Sequence, residues 1–172
     1  MAVIGLFYGS TDGATAHIAQ QVAELFTQRG HTVELFDVAE FYPDAMEEFE
    51  YVILGIPTWD IGQLQADWEE VIDDLDELDL RHARIALFGL GDQAGYPLTF
   101  VDALAFLADR VEAQGARLVG RWPITGYNFE RSWAVKDGDF IGLALDEINQ
   151  PELTAPRLAR WVEVVALEFG IE

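Results

Sequence analysis

The chain has 172 residues, a net charge of −21, a single lysine at Lys136 and no cysteine. Because 51% of the residues are hydrophobic, a chain of this length is expected to fold as one domain with a buried core. The lack of cysteine excludes disulfides and cysteine-ligated iron–sulfur clusters, and the negative charge disfavours nucleic acid and anionic membranes as partners.

Apolar strands and amphipathic helices alternate along the chain. The apolar runs predict strands at residues 3–7, 32–36, 51–56 and 85–90, and a fifth that begins at 118–119. Helical stripes of apolar residues separate them, at 18–26, 68–78, 101–111 and 158–169. Nearly continuous apolar strands between helices predict a parallel sheet that is covered by helices on both faces.

The segment from Gly120 to Asp139 has no regular hydrophobic period. We predict that it is inserted between two halves of the fifth strand, with Phe140 to Leu145 as the second half.

The first residues are predicted to form a strand, and they lack the basic start of a signal peptide. No apolar run is long enough to span a bilayer. We therefore expect a cytoplasmic protein. The three histidines are scattered without metal-ligand spacing, so we predict no metal site.

Three predicted loops leave strand ends, where ligands bind in open α/β sheets. Residues 9–15 (GSTDGAT) combine small residues and hydroxyls at a helix start, a pattern that favours an anion site. The loops at 57–65 and 89–96 each carry an aromatic residue, Trp59 and Tyr96. Together they indicate a flat aromatic ligand with a phosphate tail, since aromatic rings favour offset stacking.

These loops resemble the flavodoxin family, whose fold is itself a standard example of ligand binding at a switch in strand order. The resemblance is carried by Ile56 to Trp68 (IPTWDIGQLQADW), Gly89 to Tyr96 (GLGDQAGY) and Leu143 to Gln150 (LALDEINQ). It implies a doubly wound five-stranded parallel sheet in the order 2-1-3-4-5, formed by one domain over residues 1–172. Residues 120–139 would be the insertion of the long-chain branch.

The resemblance also implies a non-covalently bound FMN and a set of cofactor-binding residues. The phosphate would lie at the loop formed by Ser10, Thr11, Asp12, Gly13, Ala14 and Thr15. Trp59 and Tyr96 would cover the two faces of the isoalloxazine ring. The flavin N5 side would be lined by Thr58, Asp60, Ile61 and Gly62. The pyrimidine edge would contact the backbone and side chains of Gly91, Asp92 and Gln93, and Asp146 would lie on the ribityl side.

Asp12 departs from the family, which usually has threonine at this position of the phosphate loop. At ~6 Å and an effective dielectric constant of ~20, a carboxylate and a phosphate charge repel by about 3 kcal/mol. We therefore expect Asp12 to turn away and cap the helix, with Thr11 supplying the lost hydroxyl. The loop contains no lysine or arginine, so neutral donors and the helix end must hold the phosphate.

The implied function is a low-potential carrier of single electrons, which shuttles FMN between semiquinone and hydroquinone and is not a turnover enzyme. The acidic surface favours docking to basic redox proteins, an NAD(P)H-dependent reductase as donor and an acceptor enzyme, with the carrier as a monomer. The alternative is an FMN-dependent quinone or NAD(P)H oxidoreductase of the same fold, which would need one open face of the ring. A flavin-free interaction module is the third interpretation, if Asp12 prevents phosphate binding.

Overall fold

A central parallel sheet dominates the computed structural model, which describes residues 1–59 and 61–172. Four of its strand positions are filled by β1 (Val3–Tyr8), β2 (Thr32–Asp37), β3 (Tyr51–Trp59) and β5 (Arg84–Leu90). The short strand β4 (Gln63–Leu64) pairs antiparallel with the end of β3. The fifth position is shared by β6 (Arg117–Val119) and β10 (Leu143–Leu145), which both pair with β5. The order of the strand positions is β2-β1-β3-β5-β6/β10, which confirms the predicted order 2-1-3-4-5.

Helices cover both faces of this sheet, as predicted. They are α1 (Ala14–Gln28), α2 (Ala66–Val71), α3 (Ala103–Ala113) and α4 (Pro151–Phe169), with 3₁₀ helices at Pro43–Glu48 and Ile72–Glu77. One face carries α1 beside α4, and α3 packs beside the second 3₁₀ helix. Within the described parts of the chain, no helix is long and apolar enough to cross a membrane.

Helix α1 shows how the sequence pattern produces this packing. Its residues Ile18, Val22 and Phe26 recur every four positions, and all three are fully buried against the sheet. Burial of each such side chain contributes about 1.5–3 kcal/mol. The helix begins after Gly13, whose φ of 92° is readily adopted only by glycine, and this fixes the direction in which α1 leaves β1.

The insertion forms a small antiparallel sheet of its own. Its strands are β7 (Trp122–Pro123), β8 (Val135–Lys136) and β9 (Asp139–Phe140), in the order β7-β9-β8. The predicted boundary at Phe140 is therefore wrong, because Phe140 pairs with Trp122 and Val135 and not with β5. The chain rejoins the main sheet at Leu143. The residue before it, Gly142, lies so close to the Leu87 carbonyl that a Cβ at this position would collide with it.

Candidate functional site

A cleft of about 290 Å³ lies at the carboxyl ends of the central strands. Its walls come from the last residues of β3 and β5 and from the segments that follow β1, β5 and β10. The lining residues are Asp12, Ala14, Pro57, Thr58, Trp59, Leu90, Gly91, Asp92, Tyr96, Glu147 and Ile148. The three loops predicted from the sequence therefore converge on one site.

Two aromatic side chains line the cleft from different loops. Trp59 ends β3 and is 36% exposed, and Tyr96 follows β5 and is 39% exposed. The Tyr96 backbone N–H donates to the Asp92 carbonyl at 2.9 Å, which closes the loop that carries the ring. Rings that are only partly buried at the wall of one cleft can still cover a planar ligand by offset stacking.

The Trp59 loop is fixed from both sides. Its return strand β4 (Gln63–Leu64) pairs antiparallel with Thr58 and Trp59. The Thr58 hydroxyl also accepts a hydrogen bond of 3.0 Å from the Ala103 N–H at the start of α3. Thr58 is thus held at the cleft wall by the helix behind it.

Ile61 and Gly62, two of the predicted residues, lie in the turn before β4. Ile61 is 73% exposed and lies outside the cleft lining among the described residues. Gly62 has a φ of 87° and packs against Asp102, so that a Cβ there would lie 3.1 Å from Asp102 Oδ2. The predicted contact at Asp60 falls outside the described residues.

The loop before α1 uses its own side chains to bind its backbone. Ser10 Oγ accepts from the Gly13 N–H at 3.1 Å, and Asp12 Oδ1 accepts from the Ala14 N–H at 3.0 Å. Asp12 thus bonds to the first residue of α1, although the N-cap position itself is Gly13, and Asp12 is also one of the residues that line the cleft. Thr15 is buried at the base of the helix.

Thr11, which we expected to supply a hydroxyl to the phosphate, is not among the described residues that line the cleft. Its Oγ1 instead accepts from Gln65 Nε2 at 3.0 Å. Gln65 is fully buried, and it also donates to Asp67 and accepts from the Trp68 N–H. Sequence analysis missed Gln65, although its position directly before α2 is a signal for a helix N-cap.

Gln93 and Asp146 form a buried pair behind the cleft and do not line it within the described chain. Asp146 accepts from the backbone and side-chain nitrogens of Gln93 at 3.0 and 2.8 Å. It also accepts from the Ile148 and Asn149 N–H groups and from the Asn149 side chain. Burial acts to raise the pKa of Asp146, but these hydrogen bonds outweigh it and hold the pKa below its ordinary value.

The predicted contacts of Gln93 and Asp146 with a ligand stay a prediction. Both ends of the Gln93 amide are engaged, since its oxygen accepts from the Asn128 N–H at 2.5 Å. The two Asp146 oxygens are occupied by protein donors and the residue is fully buried. We assign both residues a positioning role, because they join the Tyr96 loop to the loop after β10.

Four lining residues were not predicted from the sequence. Each of them lies near or just beyond the carboxyl end of a strand of the main sheet: Pro57, Leu90, Glu147 and Ile148. The strand-end rule could have found them, since it applies to β10 as well as to the other strands. Ile148 is 70% exposed and adds an apolar side chain to the rim of the cleft.

The lining is acidic. Asp12, Asp92 and Glu147 supply carboxylates, and the lining residues that the structure describes include neither lysine nor arginine. An anionic group at this site must therefore be held by neutral donors, above all the N–H groups at the start of α1.

Fold and cleft together define a doubly wound α/β protein with a ligand site at the switch in strand order. The chain belongs to the flavodoxin family, whose family model matches residues 6–161. A flavodoxin from Picosynechococcus sp. is 46% identical over 171 residues, which cover 99% of this chain and 100% of the relative. A flavodoxin from Klebsiella pneumoniae is 43% identical, and the match covers 100% of this chain and 97% of the relative.

A solved structure agrees with this membership. The crystal structure of Fusobacterium nucleatum flavodoxin bound to flavin mononucleotide superposes with a TM-score of 0.93 at 32% sequence identity. The match covers 98% of this chain and 99% of the other chain.

Proposed function

We propose that this protein binds one FMN in the cleft and carries single electrons between redox proteins. The observation that carries the proposal is the convergence of Trp59, Tyr96 and the loop before α1 on one cleft. Support also comes from the flavin mononucleotide in the Fusobacterium nucleatum flavodoxin, whose fold this chain shares closely.

The residues present fit the cofactor. The isoalloxazine ring would lie between the Trp59 and Tyr96 side chains, with Gly91 and Asp92 at its pyrimidine edge. The phosphate would approach the backbone N–H groups of residues 10–15, because these are the donors at the start of α1. Thr58 would lie beside the ring. We propose that Asp60, Ile61 and Gly62 also line the N5 side of the flavin.

When bound, FMN supplies a ring that accepts and returns electrons one at a time. The chain supplies the environment of that ring. Trp59 and Tyr96 would exclude water from its faces, and the cleft carboxylates would disfavour added negative charge on it. A unit charge at ~12 Å and an effective dielectric constant of ~20 contributes about 1.4 kcal/mol, or about 60 mV for a one-electron couple. Several carboxylates thus favour a low potential.

Coverage of both ring faces also argues for a carrier over the oxidoreductase. Hydride transfer needs a substrate stacked on an open face, whereas single electrons can leave through the exposed edge. The charge of −21 supports docking to basic surfaces, on a reductase as donor and on an acceptor enzyme. We propose a cytoplasmic monomer of one domain, in agreement with a chain that has no cysteine to form disulfides.

Flavin titration and anaerobic redox titration of the purified protein test the proposal. We expect FMN to bind and then to be reduced in two resolved one-electron steps. Trp59→Ala should weaken FMN binding by about tenfold or more, since it removes ring stacking and buried area. Trp133→Ala is the matched control, because this indole is 64% exposed and lies outside the described cleft lining.

Two outcomes would contradict the proposal. If the protein binds no FMN, the flavin-free interaction module becomes the remaining interpretation. A single two-electron reduction, together with steady-state oxidation of NAD(P)H by quinones, would establish the oxidoreductase instead.

A further inference from the structure

Asn149 follows β10 and joins a carboxylate of the cleft to a carboxylate behind the cleft. Its side-chain nitrogen donates to Asp92 Oδ1 at 2.8 Å and to Asp146 Oδ2 at 2.9 Å. An amide nitrogen carries two hydrogens, so these bonds use both of its donors. Asp92 lines the cleft, whereas Asp146 is fully buried. The Asn149 side chain therefore connects an outer and an inner charge of the site.

The position of the Asp92 carboxylate depends on this amide. Asp92 Oδ1 also accepts from the Gly95 N–H at 2.8 Å, but that bond lies within the Tyr96 loop itself. In the part of the chain that the structure describes, Asn149 alone ties this carboxylate to another segment. Both carboxylates lie against one nitrogen, so two like charges are close together and would repel each other without the amide between them. The Asn149 side chain also makes the largest contribution among the hydrogen bonds that lower the pKa of Asp146 against the effect of burial.

We propose that Asn149 is a positioning residue for flavin binding, which holds the Asp92 carboxylate at the pyrimidine edge of the ring. The inference rests on the proposed function, in which Asp92 lies at that edge, and adds a residue from outside the described cleft lining. Asn149 acts through Asp92 and needs no contact with the flavin. Its contribution belongs to the ring end of the ligand, so FMN and riboflavin, which share the ring and differ in the phosphate, depend on it equally.

The test measures the dissociation constants of FMN and riboflavin by quenching of flavin fluorescence. Asn149→Ala should weaken the binding of both flavins by about tenfold, because it removes a hydrogen bond to a charged group. The ratio of the two constants should stay within about twofold of its value in the unsubstituted protein. Gln150→Ala is the matched control, since it removes the neighbouring amide, which bonds to the Gly126 carbonyl and to Arg157. It should change both constants by less than about twofold.

A double-mutant cycle separates action through Asp92 from a general loosening of the fold. In an Asp92→Ala background, Asn149→Ala should weaken flavin binding by less than about twofold, because the group that it positions is gone. Asp92→Asn is the second background, since its side-chain oxygen can still accept from the Asn149 amide. There, Asn149→Ala should weaken flavin binding by about threefold or more. Urea unfolding verifies that each variant is folded under the conditions of the titration.

An equal loss of flavin affinity on Asn149→Ala with and without the Asp92 carboxylate would overturn the inference, because Asn149 would then act through Asp146 or through the fold. Weaker binding of FMN with unchanged binding of riboflavin would overturn it as well. Failure of the unsubstituted protein to bind either flavin is a different result, since it would remove the proposed function itself. A loss of affinity that disappears only in the Asp92→Ala background supports the inference.

Discussion

Asp146 illustrates, for a single residue, how a buried charge joins two loops that form the walls of the cleft. Its two oxygens accept five hydrogen bonds, from Gln93, Ile148 and Asn149. Because the donors come from two loops, the carboxylate fixes the Tyr96 loop relative to the chain after β10. The relative position of these two walls of the cleft thus depends on a residue that lies behind the cleft.

We expect Asp146→Asn to destabilise the protein by about 2–3 kcal/mol at pH 7, because an amide NH₂ would face donors of Gln93 and Asn149. The pKa of Asp146 is lowered by folding, so its contribution is complete above the unfolded value of ~3.9 and is lost as the pH falls through the lower folded value. Urea unfolding at pH 7 and at about pH 2 measures this; a difference between variant and parent that stays constant would contradict it.

The sequence allows the two aromatic residues of the cleft to be predicted, but not the buried side-chain pairs that hold their loops in place. Trp59 and Tyr96 directly follow apolar strands, and the strand-end rule brings such residues together. Gln93 pairs with Asp146 at a separation of 53 residues, and Gln65 with Thr11 at a separation of 54. No local pattern encodes side-chain pairs at that distance.

Among the elements, α3 connects the cleft to the insertion. Asp102 lies directly before this helix, is 2% exposed, and accepts from the Trp133 N–H of the insertion at 2.7 Å. Burial raises the pKa of Asp102, although the Trp133 hydrogen bond and the charge of Arg131 act to lower it. The ionised carboxylate is therefore held at a cost at neutral pH.

Asp102→Asn should raise the free energy of unfolding by about 0.5–1 kcal/mol at pH 7, since it keeps the acceptor for Trp133 and removes the buried charge. A folded pKa above the unfolded value means that the penalty is absent below ~pH 3.9 and grows as the pH rises through the folded pKa. The gain in the free energy of unfolding should therefore vanish in acid.

Asp109→Asn, on the exposed side of α3, is the control and should change stability by less than about 0.5 kcal/mol. Destabilisation by Asp102→Asn at pH 7 would refute this.

The exact ends of helices and strands could not be predicted from the sequence. The stripe that predicts α3 includes Val101, yet this residue has a φ of 48° and the helix begins at Ala103. Left-handed conformations are rare for β-branched residues, so no propensity indicates one here. The misplaced end of the insertion has a similar origin, because Phe140 to Leu145 reads as one apolar run although its residues belong to two sheets.

For the molecule as a whole, the charge of −21 acts on every approaching partner. Association with a basic reductase should slow by about 10–100-fold between ~0.05 M and ~0.5 M salt, because screening shortens the reach of the field. Stopped-flow reduction of the FMN-loaded protein measures this rate, and photoreduction by an uncharged donor is the control that salt should not slow. A salt-independent protein reaction would assign the acidity to solubility alone.

The insertion donates hydrogen bonds to the rest of the protein and also forms a small sheet of its own. Asn128 donates to Gln93, Ser132 to the Phe100 carbonyl, and Trp133 to Asp102. A miniaturised chain with this segment excised would leave those acceptors orphaned in the interior, where an unsatisfied polar group costs about 1–3 kcal/mol. A shortened design must therefore replace the Gln93 and Asp102 side chains with apolar ones and supply a new donor to the Phe100 backbone carbonyl.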